Sequence, residues 1–138
     1  MKALVQRVSS ARVLVDSEEV SAIGPGLLVL LGVADGDGPD QADRLADKVR
    51  ALRIFGDADG RMNEPLGERE VLCVSQFTLM ADTRKGNRPS YMGAARPDEA
   101  EPLYERFRER LGAKGGLFGA MMAVELTNDG PVTLLLEA

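Results

Sequence analysis

The chain predicts an α+β fold: a mostly antiparallel, barrel-like sheet with two main helices packed on it, in one domain over its 138 residues. Three observations carry that reading. Apolar segments of strand length recur, and many follow one another through short turns built from Gly, Pro, Asp and Ser, the connection that antiparallel neighbours allow. Two other stretches, each opened by a proline, repeat apolar residues every three or four positions, which is the stripe of a helix lying on a core. Finally, 44% of the residues are hydrophobic and 4% aromatic, with no Trp, so a core of single-domain size has to be aliphatic.

Taken in order, Ala3 to Val8 alternates, with Ala3, Val5 and Arg7 on one face and Leu4, Gln6 and Val8 on the other. Ser9-Ser10 reads as a turn and Ala11 to Val15 as the returning strand; Val20 to Ile23 is a further short strand. After the turn Gly24-Pro25-Gly26, the unbroken apolar run Leu27 to Val33 reads as a strand buried on both faces. Pro39 opens a helix whose stripe is Ala42, Leu45, Val49 and Leu52. Ile54-Phe55 is a brief strand, the stretch to Glu70 stays polar, and Val71 to Leu79 is a second central strand. Residues 81–96 hold Gly, Pro, Asn and Arg and form a long ordered loop, of the kind that carries function. Pro97 opens the second helix, with Ala100, Leu103, Tyr104, Phe107 and Leu111 buried and Gly112 as its stop. Met121 to Asn128 and Val132 to Glu137 are the last two strands, joined through Asp129-Gly130-Pro131. The total is six or seven strands and two helices.

Composition removes several chemistries. There is no histidine, which excludes Ser-His-Asp and Cys-His catalysis and His-based metal sites. The single cysteine, Cys73, lies inside an apolar run and reads as a small core residue. Asp35-Gly36-Asp37-Gly38 and Asp57-Ala58-Asp59-Gly60 lack the ligand series of a calcium loop, and turn chemistry accounts for them. No dinucleotide fingerprint or P-loop is present. No leader is visible and no apolar run is long enough to span a bilayer, so the expected compartment is the cytoplasm. The net charge is −5, so any nucleic-acid affinity has to come from local patches. Arg84, Lys85 and Arg88 crowd one loop, while Arg44 with Lys48, and Arg106 with Arg110, lie one helical turn apart. Charges balanced by nearby Asp and Glu are the competing explanation.

Two stretches place polar and turn-forming residues where a core strand would carry Val, Ile or Leu: Ser75-Gln76-Phe77-Thr78-Leu79 and Asn128-Asp129-Gly130-Pro131-Val132-Thr133. On strand alternation Gln76 and Thr78 share one face, as an exposed edge pair or as site residues. Together with Gln6-Arg7-Val8, Lys85-Gly86-Asn87-Arg88-Pro89-Ser90 and Gly116-Leu117-Phe118-Gly119-Ala120, in that order along the chain, they resemble the signatures of D-aminoacyl-tRNA deacylases. The resemblance runs nearly end to end. It implies a homodimer that hydrolyses the ester of D-aminoacyl-tRNA, and of mischarged glycyl-tRNA, with no metal or organic cofactor. Ser75, Gln76, Phe77 and Thr78 then line the pocket for the charged 3′ end. Thr78 matches a residue once favoured as a nucleophile, yet a Thr hydroxyl needs a base. The resemblance instead implies main-chain N–H groups of Phe77 and Thr78 at the oxyanion, with the substrate's ribose hydroxyl assisting water. Gly130-Pro131 is expected to be cis, to reach into the partner's site, and to hold the substrate amino group so that only a D side chain, or none, fits. Arg7 is expected to orient that loop, Phe118 and Met122 to surround the adenosine, and Arg84, Lys85 and Arg88 to contact tRNA. Met121, where the family often has a polar residue, and Tyr91, where it often has Phe, are departures. Two rivals stand beside this reading. One is an editing module for an L-amino acid, like the editing domain of archaeal threonyl-tRNA synthetase. The other is a non-catalytic RNA-binding module.

Overall fold

The computed structural model describes residues 1–138. It holds β1 (Lys2–Val15), β2 (Glu18–Ile23), β3 (Gly26–Gly32), α1 (Pro39–Ala51), β4 (Phe55–Gly56), β5 (Met62–Glu64), β6 (Glu70–Ser75), α2 (Pro97–Leu111), β7 (Lys114–Gly115) and β8 (Ala123–Glu137). The main sheet runs β2-β1-β3-β6-β7, with β8 on the other side of β1. β1 is antiparallel to β2, β3 and β8. β3–β6 and β6–β7 are parallel, because α1 and α2 carry the chain back across the sheet before each returning strand. β4 and β5 form a separate small hairpin.

β1 is one continuous strand, which corrects the expected turn at Ser9-Ser10. Its first half pairs with β3 and its second half with β2, while β8 follows it almost throughout. Ser9 is an extra residue in the β8 ladder, where Val8 faces Asn128 and Ser10 already faces Thr127. One inserted residue inverts the alternation beyond it. Ala3 and Val5 therefore enter a core with Leu27, Val29, Leu31, Val71, Cys73 and both helices. Val8, Ala11 and Val13 enter a second core with Ile23, Leu28, Leu72 and Val74. The bulge lets a single strand serve both faces and curls the sheet toward a barrel. Two short polar residues suit a bulge as well as a turn, which is why composition misassigned them.

α1 buries Ala42, Leu45, Ala46 and Val49, and α2 buries Ala100, Tyr104, Phe107 and Leu111. Each helix has Pro in its first turn, and Gly112 ends α2 at φ +72°. Arg106 and Arg110 lie against Asp43 and Asp47 of α1, with paired bonds of 2.8 Å, so these two arginines are neutralised where they stand. No helix is long and apolar enough to cross a membrane.

Candidate active site

β6 stops at Ser75, and residues Phe77–Met80 form a single 3₁₀ turn. This corrects the strand expected to run to Leu79. The cause lies at the end of β3. The Gln76 amide donates to the Leu31 carbonyl at 2.7 Å, and the chain then folds over Gly32. A Cβ on Gly32 would sit 3.0 Å from the Gln76 carbonyl oxygen, Leu79 Cβ and Met80 Cε alike, so glycine leaves the space the turn occupies. Gln76 and Thr78 do lie side by side, by this turn and not by strand alternation: Gln76 Nε2 donates to Thr78 Oγ1 at 2.6 Å.

The turn also decides what its main chain can offer. The amides of Leu79 and Ala81 reach the Gln76 and Thr78 carbonyls. Those of Phe77 and Thr78 open the turn, where helical geometry supplies no carbonyl acceptor, and neither has one elsewhere. Two adjacent N–H groups are thus free beside an exposed hydroxyl. That hydroxyl is touched by an amide donor and by no carboxylate, amine or imidazole, so nothing there withdraws its proton.

The second signature is not a turn between two strands, which corrects the expected joint. Its two halves belong to one strand, β8, and both pair with β1: Val8 faces Asn128, Gln6 faces Thr133, and Asp129 to Val132 bulge out opposite Arg7. The Gly130–Pro131 peptide is cis. The bulge is held at its base. Asn128 Nδ2 donates to the carbonyls of Arg7 and Val132 at 2.9 and 3.0 Å. Thr133 Oγ1 donates to Asn128 Oδ1, and Gln6 Nε2 to Thr133 Oγ1. Arg7 Nε donates to the Asp129 carbonyl at 3.2 Å, and its Nη1 to the Ile54 carbonyl at 2.7 Å. Gly130 has φ +120°, which L side chains rarely adopt, and a Cβ there would lie 2.8 Å from Arg7 Nη2 and 3.0 Å from Val132 Cγ2, so a side chain would be strained and would displace the Arg7 guanidinium. The sequence motif that contains Asn128 points to no role for it. Its signal was an amide residue inside a strand, where such residues are depleted. Beside the bulge, Arg7, Phe55, Met62, Arg69 and Asp129 line a cavity of about 460 Å³.

Within one chain the two signatures stand apart. Arg7 pairs with Leu27, and Leu27 with Val71, whereas Ser75 pairs with Leu31. Four residues along β3 correspond to roughly 13 Å, and the 3₁₀ turn continues beyond Ser75.

The other expected residues are distributed around α2 and the 81–96 loop. Phe118 is half-buried against Tyr104, with ring centroids 5.8 Å apart, and Met122 is half-buried against the second core. Tyr104 reaches the Cys73 carbonyl at 2.7 Å, and burial pushes its own pKa up. Burial likewise raises the Cys73 thiol, which keeps it protonated and inert. Arg84 forks onto Asp82 at 2.9 and 2.7 Å, and those bonds lower the Asp82 carboxyl to about 2. Lys85 and Arg88 are exposed and form no ion pair. Arg84 is therefore the least available of the three for a phosphate. Asp57 caps its own turn, its Oδ1 accepting from the Asp59 and Arg61 amides.

Comparison with known proteins follows the same lines. The family model described as D-Tyr-tRNA(Tyr) deacylase matches residues 4–137. A protein of Opitutus terrae named D-aminoacyl-tRNA deacylase is 57% identical, covering 100% of this chain and 97% of its own length. One of the same name from Dehalococcoides mccartyi is 55% identical, covering 100% of this chain and 95% of its own. The solved structure of the c-Myc DNA Unwinding Element Binding Protein superimposes with a TM-score of 0.95 at 42% identity, over 100% of this chain and 99% of that one.

Proposed function

The chain belongs to the D-Tyr-tRNA(Tyr) deacylase family and hydrolyses the ester bond of D-aminoacyl-tRNA; we propose that it does so as a homodimer whose two sites each combine the 3₁₀ turn of one copy with the Gly130–Pro131 bulge of the other. The observation that carries this is the separation of the two signatures at opposite ends of β3 and β6. No single copy unites them, and a two-fold operation unites them twice. A second feature supports it. β8 is a fifteen-residue edge strand paired on one side only, and Leu134 and Leu135 on it are 36% and 53% exposed. A long apolar edge invites another chain unless it is covered.

In the combined site the charged 3′ end lies along Ser75 to Thr78. Water adds to the ester carbonyl, assisted by the free hydroxyl of the terminal ribose. The oxyanion is held by the Phe77 and Thr78 amides, each donor of this kind being worth roughly 2.7–4 kcal/mol. Collapse breaks the acyl–oxygen bond, the ribose oxygen takes the proton, and the free amino acid leaves. The ester is already activated, so positioning and charge stabilisation suffice. The partner's Gly130 and Pro131 carbonyls hold the substrate amino group. Their rigidity comes from the Arg7 and Asn128 bonds. With amino group and carbonyl both fixed, an L side chain meets main chain, a D side chain meets open space, and glycine passes. The same rejection serves every L side chain, because the obstacle is backbone. Lys85 and Arg88 supply phosphate contacts, with Arg84 held back by Asp82. Such work on charged tRNA belongs to the cytoplasm.

The test is a hydrolysis assay on D-tyrosyl-, L-tyrosyl- and glycyl-tRNA. Turnover of the first and third with the second spared is expected. Comparable turnover of L-tyrosyl-tRNA would remove the steric account.

A further inference from the structure

The chain has only four Phe and two Tyr. Phe55, Tyr104 and Phe107 are buried and Phe118 is half-buried. The remaining two, Phe77 and Tyr91, are 55% and 40% exposed and touch each other, edge to face, with centroids 5.1 Å apart. Two aromatic rings left facing water together are a surface with a use, not a shortage of core.

Their position is fixed. Phe77 is the first residue of the 3₁₀ turn, and its amide is one of the two free donors. Tyr91 lies in the 81–96 loop, which is stapled twice. Asp82 and Ser90 exchange backbone bonds of 2.8 and 2.9 Å. Beyond Tyr91, the Asp35 amide donates to the Gly93 carbonyl and the Ala95 amide to the Val33 carbonyl, both at 2.9 Å. Inside the loop that the Asp82–Ser90 pair closes, Lys85 and Arg88 are two cations without a carboxylate partner. Met92, 92% exposed, adjoins Tyr91.

Exposed ring faces, with uncompensated cations in the same loop, are a combination that binds single-stranded nucleic acid: a ring face stacks on a base of any identity, and the cations follow the backbone. We propose that Phe77 and Tyr91 form a stacking platform for the base immediately 5′ of the aminoacylated nucleotide, with Lys85 and Arg88 on its flanking phosphates. This rests on the functional reading above. If the terminal nucleotide presents its ester to the Phe77 and Thr78 amides, the preceding base is the nearest flat group outside the site. Stacking distinguishes no base from another, which suits a single-stranded end common to many tRNAs. It also lets remote binding position the ester without touching the chemistry.

The experiment compares D-tyrosyl-tRNA with D-tyrosyl-adenosine, which has the ester and the terminal nucleoside but lacks the preceding nucleotide. Tyr91→Ala is expected to raise KM for the tRNA by about ten-fold or more, to leave kcat close to wild type, and to affect the adenosine ester little. Tyr91→Phe, which keeps the ring, restores the tRNA KM. A Lys85→Ala/Arg88→Ala double variant flattens the salt dependence of tRNA turnover only. Equal losses on both substrates would overturn the proposal, since Tyr91 would then merely support the turn. So would no change on either, or a shift in sedimentation of Tyr91→Ala, which would make the pair a contact between copies. Absence of wild-type turnover on both esters would instead remove the functional reading itself.

Discussion

At Phe77, two substitutions separate the work of the main chain from that of the side chain. Phe77→Ala removes the ring and keeps the amide. Phe77→Pro removes both, and proline is tolerated at the first position of a helical turn because its missing N–H has no helical acceptor. If that amide holds the oxyanion, the Pro variant is slower than the Ala variant by about 100-fold in kcat. Equal rates for the two would dismiss the donor. At the neighbouring position, the hydroxyl of Thr78 is bonded to the Gln76 amide and to no base. Thr78→Ala therefore keeps activity within about ten-fold of wild type, well short of the loss that follows removal of a nucleophile. Near-complete inactivation of a folded Thr78→Ala protein, judged by circular dichroism, would return the hydroxyl to the centre of the chemistry.

At the scale of elements, the β3–β6 pair is the frame on which the turn rests, and Gly26 sets its tightest point. A Cβ there would lie 1.8 Å from the Glu70 carbonyl oxygen, and backbone cannot swing aside as a side chain does. Gly26→Ala should lower Tm by more than about 5 °C, while Gly56→Ala, with nothing within 4 Å of its added methyl, serves as the neutral control. The two helices meet through Asp43 and Asp47, whose pKa values the hydrogen bonds to Arg106 and Arg110 lower. A carboxylate lowered by folding stabilises above its unfolded pKa and loses that stabilisation as pH falls through the folded one. Tm should thus be flat from neutral pH to about pH 5 and fall below about pH 4, with a shallower fall in Asp43→Asn/Asp47→Asn; identical pH profiles would show the pairs to be inert. These elements also mark where the sequence was readable. The α1 and α2 stripes, the doubly buried β3 run and the αL stop at Gly112 follow from local periodicity and chirality. The Ser9 bulge, the end of β6 at Ser75 and the continuity of β8 do not. Each depends on what a distant strand offers: Asn128 and Thr127 opposite β1, Leu31 opposite Gln76. Likewise Arg7 was legible as an oddity in an apolar strand, whereas its anchor on the Ile54 carbonyl lies 47 residues away and leaves no local trace.

At the scale of the whole molecule, the question is whether one copy contains a site. The turn and the bulge lie at opposite ends of the same strand pair, so on the proposed arrangement each copy supplies half of two sites. That arrangement makes a quantitative demand. A Phe77→Pro copy has a defective turn and an intact bulge. A Gly130→Ala copy has the reverse, since its methyl would crowd Arg7 Nη2 at a φ of +120°. Each variant alone makes dimers in which every site is damaged. Refolded together at equal amounts, half of the dimers are mixed. In each mixed dimer one site joins the sound turn of one copy to the sound bulge of the other, and the second site collects both defects. Random pairing therefore restores about a quarter of the wild-type sites. If turn and bulge acted within one chain, no mixture would exceed its components. The same logic fixes the behaviour of the exposed β8 edge. Leu134→Glu/Leu135→Glu places like charges where two copies would meet, and it should give a folded monomer by sedimentation that no longer hydrolyses D-tyrosyl-tRNA. An active monomer, or a mixture without recovery, would require a site built inside a single copy, and the separation along β3 offers none.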